Sequence, residues 1–392
     1  MSTTSAPGPT SGPTLGDALS LLSEVADELL VKTARDTHLA WVDRVHGTMH
    51  GPARRRSPGE SLHRGIASAV YGGLGLGLRA ASRGFDLVAE HAPPFEAGPR
   101  TRFVNSAVNG LIGDRLLQER PQLAIPMAVR ANGGDVDLGD ADDMAGAFPD
   151  ATGQVVVFLH GLCENESYWR RGRLERGTTY AEALAARGWT PVFLRANTGL
   201  PLRENGAALT ALLQRLVEGW PTDVERLALV GHSMGGLIMR AAAAVATDVE
   251  PPWTSLVSDV VTLGAPHFGS PIAHRVGTGA VRLARLPETA AFGRILDWRS
   301  AGVHDLVEGL GEDIAPLPHA RYRLVSATLT RSARHPVGRF AGDLLVRQPS
   351  AYGRKGAAEL FPGAEVLHVG GADHFDLLNH PDVETALLRW LA

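Results

Sequence analysis

The sequence is poor in cysteine, in excess charge of either sign and in long apolar runs, and each shortage excludes a class of protein. Cys163 is the only cysteine among 392 residues, which excludes an internal disulfide framework. The formal net charge is −4 and the isoelectric point is near 6.4, so no basic surface for a nucleic acid is indicated. No run reaches the roughly 18 apolar residues of a membrane-spanning helix. We therefore expect a soluble, cytoplasmic protein without a nucleic-acid partner.

The first 120 residues differ in composition and pattern from the rest of the chain. Residues 1–13 have neither a basic nor an apolar segment of a secretory signal and are predicted to be a disordered lead-in. Residues 14–120 show helical apolar spacing and are predicted to be an all-α N-terminal region. Within it, small residues recur every four positions: Gly65, Ala69, Gly73, Gly77 and Ala81. Such a ridge favours close packing against another helix, and peripheral membrane contact is the alternative.

From residue 121 onwards, apolar strands alternate with helical segments. Strands are predicted at residues 154–159, 190–194, 226–230, 257–263, 322–326 and 364–369, after a hairpin around Asn132-Gly133-Gly134. Helices are predicted at residues 178–187, 205–218 and 381–391. This alternation predicts an α/β domain over residues 121–392 with a doubly wound, mostly parallel sheet.

No metal site is predicted from the acidic residues of this domain. The densest acidic cluster consists of Asp135, Asp137, Asp140, Asp142 and Asp143. It lacks the glycine and the glutamate of a calcium-binding loop, so a solvated loop is the simpler interpretation. No organic cofactor is predicted either.

One stretch organises the domain: an apolar strand that ends at Gly231-His232-Ser233-Met234-Gly235 and continues as an Ala-rich helix. A strand, a sharp turn and a helix with serine at the apex are the context of the G-x-S-x-G nucleophile elbow. The turn strains the backbone of Ser233, and Gly231 and Gly235 are needed because a Cβ there would collide with neighbouring elements. The hydroxyl lies at a helix N-terminus, which favours developing negative charge. Ser233 is therefore the predicted nucleophile.

A serine nucleophile needs a base and an acid that orients the base. His374 is the predicted base because its loop, between the last predicted strand and the last helix, reaches the carboxyl edge of the sheet. Asp343 is the predicted acid, since a Gly-Asp step before an apolar run lets the carboxylate turn inward. Other candidates remain: His380 for the base, and Asp305, Asp313 and Asp376 for the acid.

The oxyanion hole is predicted to consist of backbone N–H groups, which need no reorganisation when charge develops on the substrate oxygen. The N–H of Met234 directly follows the nucleophile, and that of Leu162 belongs to the turn after the strand at 154–159. His160 is expected to shape this turn and to border the substrate. Cys163 is expected to be a packed small residue rather than a second nucleophile.

The sequence resembles the α/β-hydrolase superfamily, specifically its lipase and esterase branch. Four blocks carry the resemblance: Phe158-Leu-His-Gly-Leu162, Gly231-His-Ser-Met-Gly-Gly236, Thr262-Leu-Gly-Ala-Pro-His-Phe-Gly-Ser270 and Asp373-His-Phe-Asp376. The third block is similar to a segment of triacylglycerol lipases and of lipase-like proteins that deacylate GPI inositol. The resemblance implies a catalytic triad of Ser233, Asp343 and His374. It also implies that His232, His267 and Phe268 bind the substrate. The acid block departs from the usual G-D-G-x-V-P form, since this chain has Gly-Asp-Leu-Leu-Val-Arg.

The expected function is that of a serine carboxylester hydrolase acting on a lipid or another apolar acyl ester. An acyltransferase or a thioesterase could use the same triad, and a catalytically silent scaffold that binds a membrane or a partner is an alternative of another class. Residues 266–318 carry helical patches between two strands and are predicted to be either a cap that shields the acyl-enzyme or peripheral helices. The sequence gives no oligomeric state.

Overall fold

The structure is a computed structural model, and it describes residues 99–270, 300–310, 314–336, 338, 342, 343 and 345–392. The predicted lead-in, the small-residue ridge and most of the predicted cap lie outside these residues. Most of the described residues belong to one compact unit, which includes residues 109–115, 124–270 and 300–392. Residues 99–108 and 116–123 are grouped with a second unit. The first unit therefore includes residues 109–115, which lie before the domain boundary predicted at residue 121.

Apolar runs of the sequence become strands. In the described residues these are β1 (Ala128–Ala131), β2 (Gly134–Asp135), β3 (Gln154–Leu159), β4 (Thr190–Arg195), β5 (Arg226–His232), β6 (Val257–Leu263), β7 (Arg321–Thr328), β8 (Arg354–Lys355), β9 (Ala358–Glu359) and β10 (Glu365–Gly370). Strands β8 and β9 pair with each other as a separate small hairpin, which the sequence pattern did not indicate.

In the part of the chain that the structure describes, helices precede, separate and follow these strands. They are α1 (Pro99–Glu119), α2 (Ala141–Ala147), α3 (Arg173–Arg176), α4 (Tyr180–Ala185), α5 (Leu202–Glu218), α6 (Met234–Ala243), α7 (Ala301–Glu308), α8 (Gln348–Ala351) and α9 (Pro381–Trp390). Helix α5 is amphipathic, because Leu202, Leu209, Leu213 and Leu216 follow helical spacing and are all buried. No helix in the described part of the chain is both long and apolar enough to cross a membrane.

The larger sheet has the strand order β10-β7-β6-β5-β3-β4-β1-β2. Strands β4, β3, β5, β6, β7 and β10 are parallel to their neighbours within this order, whereas β1 and β2 form an antiparallel edge. The doubly wound, mostly parallel sheet predicted from the sequence is therefore confirmed. The order reverses at β3, which lies between β4 and β5. Ligand sites of such sheets lie at the carboxyl ends of the strands beside this reversal.

Apolar side chains fill both faces of the sheet. In β3, Val155 and Val157 point to a core that includes α5 and α6, whereas Val156 and Phe158 point to a core that includes α4 and α9. All four side chains are almost completely buried. A strand covered on both faces must be apolar at every position, which is why β3 appears in the sequence as an uninterrupted hydrophobic run.

The acidic cluster, which was expected to be a solvated loop, builds secondary structure. Asp140 is the N-cap of α2, and its carboxylate accepts hydrogen bonds from the N–H groups of Asp142 and Asp143. Asp135 accepts from two buried guanidinium groups, those of Arg130 and Arg195. These carboxylates are therefore occupied by backbone and arginine donors.

An ion cluster around one buried carboxylate joins the amino ends of three neighbouring strands. Asp259 of β6 is completely buried, and its carboxylate contacts Arg226 of β5 together with Arg321 and Arg323 of β7. The shortest contact is the one to Arg323, whose side chain is also almost completely buried. This cluster lies at the edge of the sheet opposite to the predicted nucleophile.

Candidate active site

Ser233 occupies the junction between β5 and α6. Its backbone has φ 52° and ψ −122°, a left-handed conformation that L residues adopt only under strain. The turn is fixed in part by a 2.8 Å hydrogen bond from the N–H of Ser233 to the carbonyl oxygen of Leu263, at the end of β6. The strained geometry predicted for the elbow is present, and it directs the serine to the carboxyl edge of the sheet.

Two glycines allow the elbow to pack so closely. A Cβ added at Gly231 would lie 2.6 Å from the nitrogen of Gly236, and one added at Gly235 would lie 2.6 Å from the carbonyl oxygen of His160. Both distances are below the contact distance of real Cβ atoms, so no other residue fits without movement of the backbone. The sequence-based reason for these glycines matches the observed contacts.

His374 and Asp343 lie together at the same edge. The imidazole Nδ1 of His374 donates to Oδ2 of Asp343 at 2.8 Å, and both side chains are almost completely buried. The backbone N–H of His374 also donates to the carbonyl oxygen of Asp343 at 3.0 Å. Gly342 has φ 61°, which lets the chain turn sharply before the carboxylate. The chain thus brings the predicted base and acid into contact across 31 residues.

The other nitrogen of His374 is available for chemistry. Nε2 is buried and has no hydrogen-bond partner among the described residues, and no hydrogen bond joins it to Ser233 Oγ. Bonds between a nucleophile and its base are often long in the absence of substrate. An acceptor nitrogen that is oriented by a carboxylate and has no other partner can take a proton from a nucleophile.

The two predicted oxyanion-hole groups flank the nucleophile. The N–H of Met234 is the first of α6 and therefore has no acceptor within the helix. In the part of the chain that the structure describes, neither this N–H nor that of Leu162 donates a hydrogen bond. A Cβ added at Gly161 would lie only 2.9 Å from Cβ of Ser233, which places the turn of Leu162 directly against the elbow. One donor without an acceptor therefore directly follows Ser233 in the chain, and the other belongs to the turn that packs against the elbow.

His160 is a structural member of that turn. It is completely buried, and its Nε2 accepts a hydrogen bond from the N–H of Ala196 at 3.1 Å. Nδ1 must then carry the proton, which it donates to the carbonyl oxygen of Gly161 at 2.9 Å. Burial lowers the pKa of His160 and keeps it neutral. The residue shapes the turn as predicted, but it presents no surface to a substrate.

His232 forms a contact with Glu164 that the sequence did not predict. Both side chains are buried, and His232 Nδ1 lies 3.0 Å from Glu164 Oε2. The sequence signals were an acidic residue in the turn after β3 and a histidine directly before the nucleophile. They are 68 positions apart, so only the pairing of β3 with β5 brings them together. His232 thus contacts protein groups on both ring nitrogens and is not exposed to a ligand.

The remaining predicted substrate-binding residues lie elsewhere. His267 is 1% exposed, and its ring contacts Thr262 and Phe361 rather than any triad residue. Burial and the charge of Arg240 lower the pKa of His267 to about 3. A position at the rim of the site was expected, but the apolar ring of Phe361 covers it.

Phe268 is partly exposed and lines a cavity of about 510 Å³. Four charged residues also line the cavity: Arg203, Asp305, Glu308 and Lys355. Ser233 and His374 are not among its lining residues, so the cavity is separate from the triad.

The alternative candidates for acid and base have structural roles. Asp305 accepts from the N–H of Leu202 at the start of α5, and Asp376 accepts from the N–H of Asp373. Asp313 lies outside the described residues. His380 is the N-cap of α9, with Nδ1 accepting from the N–H of Asp382. None of the described candidates contacts His374 through its side chain.

Cys163 follows the oxyanion-hole turn in a left-handed conformation with φ 61°. Burial, with the charge of Glu164 nearby, raises the pKa of its thiol to about 12. A thiol that stays protonated is a poor nucleophile, so the packing role expected from the sequence agrees with its environment.

Comparisons with known proteins find one family model and a set of solved structures that are similar to this chain. A family model described as PGAP1-like alpha/beta domain matches residues 195–282. Among solved structures, the chain is similar to the mature lipase BlEst2 of Bacillus licheniformis, with 21% identity and a TM-score of 0.43 over 61% of this chain and 92% of that chain. It is also similar to carboxylesterase CesB of Bacillus subtilis, with 14% identity and a TM-score of 0.37 over 74% and 97%. The strand order, the elbow and the family match together show an α/β-hydrolase fold, the fold of lipases and esterases.

Proposed function

We propose that this α/β-hydrolase chain is a serine carboxylic ester hydrolase that cleaves apolar acyl esters through an acyl-enzyme on Ser233. The observation that carries the proposal is the 2.8 Å hydrogen bond between His374 and Asp343, beside a serine held in a strained elbow. A buried acid, an oriented imidazole and a nucleophile at a helix N-terminus are the parts that acyl transfer requires. The apolar acyl group rests on the likeness of residues 262–270 to lipases.

In the acylation step, Ser233 Oγ attacks the ester carbonyl while its proton passes to Nε2 of His374. Asp343 holds the imidazole with its proton on Nδ1 and stabilises the imidazolium that forms. The carbonyl oxygen becomes an oxyanion, which the N–H groups of Leu162 and Met234 stabilise. The C–O bond to the alcohol then breaks, and the alcohol leaves with the proton from Nε2.

In the deacylation step, water takes the place of the alcohol. His374 Nε2 accepts a proton from the water, whose oxygen attacks the acyl carbonyl in the same oxyanion hole. The tetrahedral intermediate collapses, the acid leaves and Ser233 recovers its proton. Transfer to another alcohol or thiol would follow the same path, so the acceptor alone separates a hydrolase from an acyltransferase.

The test is hydrolysis of p-nitrophenyl esters from acetate to palmitate by the wild type and by Ser233→Ala. We expect the variant to lose roughly four to six orders of magnitude in kcat, because the nucleophile and its base act as a unit. Ser255→Ala removes an exposed serine in the same domain and should keep full activity. Labelling by a fluorophosphonate should occur in the wild type and in Ser255→Ala alone.

Two results would contradict the proposal. Equal hydrolysis by the wild type and Ser233→Ala would exclude Ser233 as nucleophile. A wild type that neither hydrolyses any ester nor reacts with the fluorophosphonate would favour a silent scaffold.

A further inference from the structure

Both ring nitrogens of His232 face hydrogen-bond acceptors. Nδ1 lies 3.0 Å from a carboxylate oxygen of Glu164, and Nε2 lies 3.2 Å from the backbone carbonyl oxygen of His374. Neither acceptor carries a proton when Glu164 is ionised. Both nitrogens of His232 must therefore donate, which only the imidazolium form can do.

The charges around His232 agree with this assignment. Burial alone would lower the pKa of His232, but the charge and hydrogen bond of Glu164, the carbonyl of His374 and the charge of Asp343 outweigh it and raise the pKa. Burial would raise the pKa of Glu164, yet the charge and hydrogen bond of His232 and the N–H of Gly161 outweigh it and lower the pKa. His232 and Glu164 thus form a buried ion pair in which each partner keeps the other charged.

The pair joins the separate parts of the active site. Oε2 of Glu164 also accepts a 2.7 Å hydrogen bond from the N–H of Gly161, in the turn that presents Leu162. His232 is the last residue of β5 and directly precedes the nucleophile. Through Nε2 it holds the backbone of His374. One continuous chain of hydrogen bonds therefore runs from the oxyanion-hole turn, past the elbow, to the loop of the base.

We propose that Glu164 and His232 act as a charged positioning pair, which aligns the oxyanion-hole turn and the His374 loop with Ser233. The inference rests on the proposed ester hydrolysis and names two residues for it that do not touch the substrate. A neutral His232 has a single N–H, so it would release either Glu164 or the carbonyl of His374. Loss of either bond loosens one wall of the site, and misplacement by about 1 Å can cost a hundredfold in rate.

Glu164→Gln is the primary test, because it removes the charge and keeps the shape of the side chain. We expect kcat for a soluble p-nitrophenyl ester to fall by about 10- to 100-fold, with KM changed less than about twofold. The matched control is Glu166→Gln in the same loop. Glu166 pairs with Arg130, which keeps Asp135 as a second partner, and no hydrogen bond joins Glu166 to His232, so the control should keep kcat within about twofold.

The pH profile distinguishes positioning from a general loss of structure. The wild type should lose activity when the pH rises through the raised pKa of His232, because the charged form exists only below that value. In Glu164→Gln the carboxylate that raises this pKa is absent, so the alkaline limb should move to lower pH. The control should keep the alkaline limb of the wild type.

A measurement on the wild type needs no variant. Imidazole ¹⁵N NMR at pH 6 should show both ring nitrogens of His232 protonated, and a neutral His232 would overturn the inference even if Glu164→Gln does not fold. An unchanged kcat and an unchanged alkaline limb in folded Glu164→Gln would overturn it as well. If the wild type fails to hydrolyse esters and to react with a fluorophosphonate, the proposed function falls and takes this inference with it.

Discussion

Asp343 uses its two carboxylate oxygens for different partners. Oδ1 accepts from the N–H groups of Leu345 and Val346 at 3.0 and 2.7 Å, whereas Oδ2 accepts from His374 at 2.8 Å. Because two backbone donors hold the first oxygen, the second has a fixed direction. The carboxylate therefore selects the tautomer of His374 that leaves Nε2 as an acceptor.

Asp343→Asn should reverse that tautomer. The amide oxygen would stay with the two backbone donors, so the NH₂ group would face Nδ1 of His374 and force its proton onto Nε2. We expect kcat to fall by about 10⁴-fold with little change in folding, measured with a soluble p-nitrophenyl ester and by thermal unfolding. Asp376→Asn, a nearby carboxylate without a bond to His374, should stay within about threefold. Equal losses in the two variants would contradict the role of Asp343.

At the scale of single residues, the sequence was informative where a local motif specifies a position. Ser233 follows from the strand, turn and helix around it, and His374 from its place after the last strand. The pairing of Glu164 with His232 could not be foreseen, because it depends on which strands become neighbours. The motif around His267 fixes where the residue lies in the chain, and a place at the rim of the site was expected from that alone. Its burial depends on a contact with Phe361, which lies outside the motif.

At the scale of elements, strand prediction succeeded where both faces are buried. The run at 154–159 coincides with β3, because a strand covered on both faces needs apolar residues at nearly every position. The run at 257–263 coincides with β6, whose apolar residues are interrupted near the amino end by Ser258 and Asp259. Helix α2 was missed, since its first turn is acidic and its stability comes from the Asp140 cap rather than from apolar spacing. The two-residue strands β8 and β9 are too short to leave any period in the sequence.

The ion cluster at the amino ends of β5, β6 and β7 makes the stability of these strands depend on the carboxylate of Asp259. Asp259→Asn would leave the buried guanidinium of Arg323 with only the exposed carboxylate of Glu365 at 3.9 Å, and we expect a loss of about 3–5 kcal/mol in the free energy of unfolding. Arg321→Gln removes a half-exposed partner of the same carboxylate and should cost less than about 1 kcal/mol. Urea unfolding measures the loss in the free energy of unfolding for both variants. Similar losses would show that the burial of the arginine partner does not determine how much its ion pair with Asp259 stabilises the fold.

At the scale of the whole molecule, contacts distant in sequence bring residues 109–115 to the active site. Gly110 packs against Cys163, and the side chain of Asn197 donates to the carbonyl oxygen of Gly113 at 3.2 Å. A Cβ added at Gly110 would lie 2.8 Å from the nitrogen of Cys163, next to the oxyanion-hole residue Leu162. Residues 109–115 thus support a wall of the site, although the sequence pattern assigned them to the N-terminal region.

Gly110→Ala should therefore disturb both stability and catalysis, although alanine favours a helix. We expect a loss of about 1–3 kcal/mol from overpacking, with kcat reduced roughly tenfold because the oxyanion-hole turn must move. Gly146→Ala is the matched control, since a Cβ at this helical glycine meets nothing within 4 Å. It should leave kcat unchanged and gain up to about 1 kcal/mol of stability. Urea unfolding and ester hydrolysis distinguish the two variants, and identical behaviour would contradict the proposed contact.

The glycines of the elbow have a consequence for comparing relatives of this chain. Gly231 and Gly235 are required by the close approach of backbones, so a descendant that lost all catalytic activity would still need both in order to fold. Their presence in a relative therefore indicates common ancestry and the same fold, and does not by itself indicate activity. Replacement of Ser233 or His374 would break no such contact between backbones. Ser233 and His374, rather than the glycines, therefore indicate which relatives have kept the catalytic residues.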